Sequence, residues 1–215
     1  MTKAPPTITV IAGTNGAGKS SIIGMYMREQ GGEYFNPDEA ARILRDKNPR
    51  LSLQDANGLA WMAGKDHLET AIQQGQDYIF ETTLGGNTIK RLLQHAAESG
   101  HRVVVWYVGL NSPETHISRV AARVARGGHP IPEAKIRERF DRSLENLVEL
   151  MPQLYEFKLF DNSQTVNLEK GEPPVPVGLL HIKNGEIAFS TELSEVPDWA
   201  KPVFAAYFAA KPSGV

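Results

Sequence analysis

Eight residues near the amino terminus, Gly13-Thr14-Asn15-Gly16-Ala17-Gly18-Lys19-Ser20, satisfy the phosphate-binding pattern G-x-x-x-x-G-K-[ST] at every required position. Glycines at 13, 16 and 18 let the backbone curl until successive N–H groups point inward at phosphate oxygens, with no Cβ in the way. Lys19 would neutralise β- and γ-phosphate charge. The Ser20 hydroxyl would ligate Mg²⁺, which takes oxygen ligands and keeps several waters. The rival dinucleotide pattern G-x-G-x-x-G fails, because Ser21 stands where its third glycine belongs. A nucleoside triphosphate is therefore the ligand that residues 13–21 are suited to hold.

Three more groups of residues could act on a phosphate. Asp38 sits in Asn36-Pro37-Asp38-Glu39, where Asn36 as N-cap and Pro37 at the first helical position signal a helix start. A carboxylate in a first helical turn is favoured by the macrodipole alone. A short strand over residues 33–36 beside the phosphate loop would also carry Asp38 to the C-terminal edge of a sheet, where α/β proteins bind ligands. Glu81 ends the apolar run Tyr78-Ile79-Phe80 and precedes Thr82 and Thr83, a position from which an acid can orient Mg²⁺ or its waters. Thr83 or Asn87 is expected to cap the helix that follows, leaving Glu81 free. Arg119, Arg123 and Arg126 stand at i, i+4 and i+7, on one helical face, where like charges repel.

With Arg137, Arg139 and Arg142 these make six arginines within residues 119–142, on both sides of a loop at Gly127-Gly128-His129-Pro130-Ile131-Pro132. Glu133, Glu138 and Asp141 pair only part of that charge. A mobile lid that closes guanidinium forks over a transferring phosphate and shuts out water is the expectation.

The elements that must position these groups can be read from hydrophobic periodicity. Thr7 to Ala12 is a β-branched, apolar run suited to a buried parallel strand, and Ile22 to Met27 suits a helix that breaks at Gly31-Gly32. Ala56, Leu59, Ala60, Ala63, His67, Leu68 and Ala71 keep helical spacing up to Gly75, with His67 as a half-buried packing residue. A helix over residues 88–99, a strand at Val103 to Leu110, a helix from Pro113 and another through Ile136 to Leu150 follow. Lys158 to Ser163 would be a fifth strand. Beyond a linker at Gly171 to Pro174, Leu179 to Ile182 and Ile187 to Phe189 read as a β-hairpin, and Trp199 to Ala210 as a closing helix.

At 215 residues, 41% hydrophobic and 22% charged, the chain can bury a full core. A net charge of -2 argues against a general nucleic-acid binder. There is no cysteine, so disulfides and thiolate metal sites are excluded. The first residues lack the apolar stretch of a secretory signal and no run approaches membrane-spanning length, which makes a cytoplasmic protein the default.

In order along the chain, five blocks resemble the zeta-toxin family of P-loop kinases, and its branch once described as predicted ABC-type ATPases. They are Ala12 to Ser20, Asn36 to Glu39, Phe80-Glu81-Thr82-Thr83-Leu84, Arg119 to Val124 with Gly127-Gly128-His129, and Asp161-Asn162-Ser163. The resemblance implies a P-loop NTPase fold over residues 1–165: a five-stranded, mainly parallel sheet with helices on both faces and an Arg-rich helical lid. Residues 166–215 would be a small hairpin and helix appendage.

It further implies an ATP- and Mg²⁺-dependent kinase that phosphorylates a sugar hydroxyl of UDP-N-acetylglucosamine, and an antitoxin protein as partner. Asp38 would be the base. Arg123 and Arg126 would neutralise the transition state beside Lys19. Arg119 would stack on adenine with Asn162 near it, and Glu81, Thr82, Thr83 and His129 would face the acceptor. Two alternatives stay open, an ABC-like ATPase and a nucleoside or polynucleotide kinase. The first lacks a Leu-Ser-Gly-Gly-Gln-like signature, and no Asn-Lys-x-Asp motif points to GTP. A third reading, a degenerate P-loop protein kept as a binding module, is opposed by the intact Lys19, Ser20, Asp38 and Glu81.

Overall fold

The computed structural model describes residues 4–21, 34–164 and 175–210. The helix expected over Ile22 to Met27, its stop at Gly31-Gly32 and the linker at Gly171 to Pro174 lie outside them.

Among the described residues six strands form one sheet in the order β2-β1-β3-β4-β5-β6. They are β1 (Thr7–Ala12), β2 (Tyr78–Thr82), β3 (Arg102–Gly109), β4 (Glu156–Asp161), β5 (Val177–Lys183) and β6 (Glu186–Ser190). The first four are parallel, with Val10 opposite Phe80 on one side and Val105 on the other. β5 then runs antiparallel to β4, and β6 antiparallel to β5. The α/β class and mainly parallel sheet thus match the expectation. The strand count goes from five to six because the C-terminal hairpin adds two strands and one expected strand is not formed.

The gain arises because the C-terminal hairpin pairs with β4 instead of standing beside the sheet. Lys158 faces His181 and Glu156 faces Lys183 across that pairing. The loss is of the strand expected over residues 33–36, of which the described residues 34–36 form no strand. Phe35 alone forms a parallel bridge to Phe80, on the outer side of β2. Its N–H donates to the Ile79 carbonyl and its own carbonyl accepts from Glu81 N–H. The chain must leave the sheet at once, because Asn36 caps the next helix and Pro37 has no N–H to offer a ladder.

From Pro37 onward, six α-helices are found among the described residues. These are α1 (Pro37–Lys47), α2 (Leu53–Gln74), α3 (Asn87–Glu98), α4 (Pro113–Ala125), α5 (Glu133–Leu150) and α6 (Lys201–Ala210). The core joins Ile8, Val10, Phe80, Val105, Tyr107, Phe157 and Leu159 of the sheet to Leu68, Leu93, Leu147, Val203 and Phe204 of the helices. The C-terminal segment is part of this core. Trp199 packs where a Cβ on Gly109 would stand, so β3 can carry only glycine there.

α1 and α2 meet through Ala41, Ala56 and Ala60, small residues that let the helices approach closely. Gly75 closes α2 in the left-handed conformation at φ 61°. His67 is exposed rather than half-buried, though its ring edge meets Phe35 and Tyr78. Leu59 also faces outward, because α2 turns its alanines to α1. The cap expected of Thr83 or Asn87 on α3 is not made. Gly86 holds that position with no side-chain bond.

Among the described residues no helix is long and apolar enough to cross a membrane.

Candidate active site

The phosphate loop leaves β1 through glycines whose backbone excludes other residues. Gly13, Gly16 and Gly18 have φ of 136°, 87° and 91°, a region costly to any side chain. A Cβ on Gly13 would overlap the Val108 carbonyl oxygen, and one on Gly16 would lie 2.8 Å from that of His116. Ala17 N–H donates to the Thr14 carbonyl at 3.1 Å, which tightens the curl, and residues 19–21 turn into helix.

Behind the loop, Lys19 and Glu81 form a buried pair. Lys19 Nζ is 3.5 Å from Glu81 Oε1, with side-chain exposures of 6% and 9%. The other carboxylate oxygen accepts from Ser20 Oγ at 2.7 Å and from Asn36 Nδ2 at 3.2 Å. Asn36 thus serves twice. Its Oδ1 caps α1 by accepting from Asp38 and Glu39 N–H, and its amide holds Glu81 and Ser20.

The glycine cradle has the shape that phosphate oxygens need. A hydroxyl and a carboxylate in contact at its foot are the hard oxygen donors that suit Mg²⁺. Among the described residues no cluster of three His, Asp or Glu side chains is placed to hold a metal.

Asp38 stands across from the loop. It shares a cavity of about 560 Å³ with Lys19, Asn36, Glu81, Thr82, Thr83 and His129. Its carboxylate is 44% exposed and meets the lid, 3.6 Å from Arg123 Nη1 and 3.7 Å from His129 Nε2. Arg123 also donates to the His129 carbonyl, so the loop after α4 folds back on the arginine that touches Asp38. Thr82 Oγ1 accepts from Leu84 N–H, and the Thr83 carbonyl accepts from Ser143 Oγ at 2.6 Å. Ser143 in turn accepts from Tyr107, whose phenol is pushed up to about 12 by burial and so remains a donor. The cavity wall at Thr83 is thereby tied to both β3 and α5.

The lid arginines divide. Arg119 donates to the Asn162 carbonyl at 2.7 Å; desolvation lowers its pKa, and the nearby Asp161 opposes that shift. Arg126 is not brought to the site. α4 ends at Ala125, Arg126 is its exposed C-cap, and the i+7 spacing from Arg119 runs past the end of the helix. Arg137 is paired at 2.6 Å with Glu114 at the start of α4. Ser21 is exposed beside Ser20.

Two residues of the site carried no individual role from sequence. Arg139 lines the cavity and donates to Asn15 Oδ1 at 2.7 Å, while its carbonyl accepts from Thr14 Oγ1. Its place in the arginine run was the available signal. His116 is 1% exposed, with Nδ1 2.8 Å from the Asn15 carbonyl. The i, i+4 pair His116 and Val120 marks the inward face of α4, and these two are its buried residues.

Known proteins resemble this chain in sequence and in fold. An uncharacterized protein of Haemophilus influenzae is 35% identical over 128 residues, which is 60% of this chain and 88% of that protein. The AvrRxo1-ORF1:-ORF2 structure with ATP superposes with a TM-score of 0.62 at 16% identity, covering 98% of this chain and 66% of that one. The PezAT toxin–antitoxin system of Streptococcus pneumoniae gives 0.53 at 14% identity, over 80% of this chain and 75% of that one. At such identities the likeness is one of fold. The family model for Zeta toxin matches residues 1–170, most of the chain and every group described above, and the protein belongs to the zeta toxin family.

Proposed function

We propose that the protein is an ATP-dependent kinase that transfers the γ-phosphoryl group to a hydroxyl of a small molecule, with sugar nucleotides such as UDP-N-acetylglucosamine as the acceptor class. The observation that carries this reading is that Lys19 and Asp38 line the same cavity. Family membership and the ATP in the AvrRxo1 structure support the choice of nucleotide. Arg139 and His129 on the cavity wall suit an acceptor that carries its own phosphate.

In the proposed reaction Asp38 orients the acceptor hydroxyl and takes its proton as the oxygen attacks the γ-phosphorus. The bond to the β,γ-bridging oxygen breaks in line, and ADP leaves with that electron pair. Lys19 exchanges its contact with Glu81 for the β- and γ-phosphate oxygens. Arg123 moves from Asp38 to the transferring group, which frees the base and spreads charge.

Ser20 and Glu81 are the residues that would hold Mg²⁺, whose charge offsets that of the phosphates. Asn162 and Arg119 remain proposed for the nucleotide side, and Thr82 and Thr83 for the acceptor side. Arg126 has no proposed contact. The PezAT structure is of a toxin–antitoxin system, and an antitoxin-like protein partner is part of this proposal.

The test is to incubate Mg-ATP labelled in the γ-phosphate with a panel of hydroxyl acceptors. Asp38→Ala should bind Mg-ATP like the wild type and lose transfer by about a hundredfold or more, the scale of general base catalysis. Lys19→Ala should lose both. Label released only as free phosphate, or equal loss of binding and transfer in Asp38→Ala, would count against the kinase.

A further inference from the structure

Two peptide groups of the phosphate loop are held from outside by side chains. His116 Nδ1 lies 2.8 Å from the Asn15 carbonyl oxygen, and Asn162 Nδ2 donates to the Ala17 carbonyl at 2.8 Å. A carbonyl can only accept, so the His116 ring carries its proton on Nδ1. Desolvation lowers the pKa of this ring to about 4, so it is neutral and the tautomer is settled at physiological pH. Both donors are almost fully buried, at 1% exposure each. They come from different elements, His116 from the first turn of α4 and Asn162 from the residue after β4.

A trans peptide is planar, and its C=O and N–H point in opposite directions. Pinning the Asn15 carbonyl toward α4 therefore aims the Gly16 N–H the other way, into the curl of the loop. Pinning the Ala17 carbonyl does the same for Gly18 N–H. Ala17 N–H, between them, is spent on the Thr14 carbonyl. Neither the Gly16 nor the Gly18 N–H has an acceptor among the described residues. Glycine at both positions removes the Cβ that would otherwise stiffen the backbone, and so leaves these two peptides free to flip.

We infer that His116 and Asn162 are paired positioning residues that lock the peptides after Asn15 and Ala17, so that the Gly16 and Gly18 amides are preset as phosphate donors. Neither touches the phosphate; each acts through one carbonyl. This rests on the nucleotide-site reading above and adds to it what fixes the loop. It also gives the buried His116 a purpose that packing against Phe140 does not.

The experiment uses the full chain labelled with ¹⁵N-glycine, Mg-ATP calorimetry and melting temperatures for the wild type, His116→Asn, His116→Leu and Asn162→Leu. Asparagine carries an N–H at the same number of bonds from Cα as histidine Nδ1, and leucine carries none. His116→Leu should weaken Mg-ATP binding about tenfold, the scale of one lost hydrogen bond, while His116→Asn stays within about threefold of wild type. In His116→Leu the Gly16 amide should lose its ATP-induced shift while Gly18 keeps it, and Asn162→Leu should do the reverse.

Equal affinity for His116→Leu and His116→Asn, or glycine shifts that respond alike to both sites, would overturn the inference. Should His116→Leu fail to fold, Asn162→Leu still decides, because its effect must be confined to Gly18. Absence of Mg-ATP binding by the wild type would instead remove the nucleotide reading, and the inference with it.

Discussion

Removing either member of the Lys19–Glu81 pair should destabilise the protein, and the two losses should be unequal. The charged atoms are 3.5 Å apart with side chains 6% and 9% exposed, so water screens them little. At an effective dielectric constant of 20 that separation gives an attraction of about 5 kcal/mol before desolvation is subtracted. Most of this is offset by the cost of burying both charges. Deleting one partner leaves that cost standing for the other, and such deletions run to about 3–5 kcal/mol.

Among the described residues Glu81→Gln leaves Lys19 with no anionic partner, beside the Thr14 carbonyl at 3.5 Å. Lys19→Met leaves Glu81 with Ser20 and Asn36 as donors at 2.7 and 3.2 Å. Glu81→Gln should therefore fall in the upper part of that range and Lys19→Met below it. The double variant should cost less than the sum of the singles by about 2 kcal/mol, since it buries no unpaired charge. Urea unfolding of the four proteins, with slopes checked for equality, measures this. Additivity within about 0.5 kcal/mol would refute the pair as an energetic unit.

Two other outcomes are expected. His116 is held neutral in the fold, with its pKa lowered from 6.5 to about 4, so the unfolded chain takes up a proton first as pH falls. Stability should accordingly be lost between about pH 6.5 and pH 4, by up to about 3 kcal/mol, and His116→Asn should flatten that slope; an unchanged slope in acid denaturation would refute the assignment. Trp199 is 7% exposed, stacks on Tyr107 and donates to Asp161 Oδ1 at 3.2 Å. Trp199→Ala should cost about 3–5 kcal/mol in thermal or urea unfolding, and a loss below about 1 kcal/mol would show that the C-terminal segment is not part of the core.

The phosphate loop could be read from sequence because its chemistry demands fixed residue types at fixed spacing. Each of its glycines meets a backbone atom or a φ that nothing else tolerates. β3 was legible for another reason, since a strand buried on both faces must be apolar throughout. Other features depend on partners remote in the chain. Phe35 is a one-residue bridge because Asn36 is needed both as a helix cap and by Glu81, a double duty invisible in local propensity. The hairpin was recognisable, but its docking on β4 depends on a register set by Glu156, which meets Lys158, His181 and Lys183 together. His116 lies 101 residues from the carbonyl it binds, and no periodicity encodes that.

Two ion pairs of the site, Arg123 with Asp38 and Lys19 with Glu81, differ in how easily they exchange. Arg123 and Asp38 have side chains 37% and 44% exposed, so their contact at 3.6 Å is worth at most about 1 kcal/mol. A phosphate entering beneath the lid needs little to draw Arg123 away, and the same displacement releases the carboxylate proposed as base. Lys19 and Glu81 are buried, so their exchange requires a ligand that replaces the lost charge within the same enclosed volume. A triphosphate can do this where a neutral molecule cannot. The loop that receives it is meanwhile held by Asn162 after β4, His116 on α4 and Arg139 on α5. In the proposed reaction, loose pairing in the lid and rigid pairing around the glycines would place the motion on the arginine and the precision on the amides, the division that in-line transfer needs.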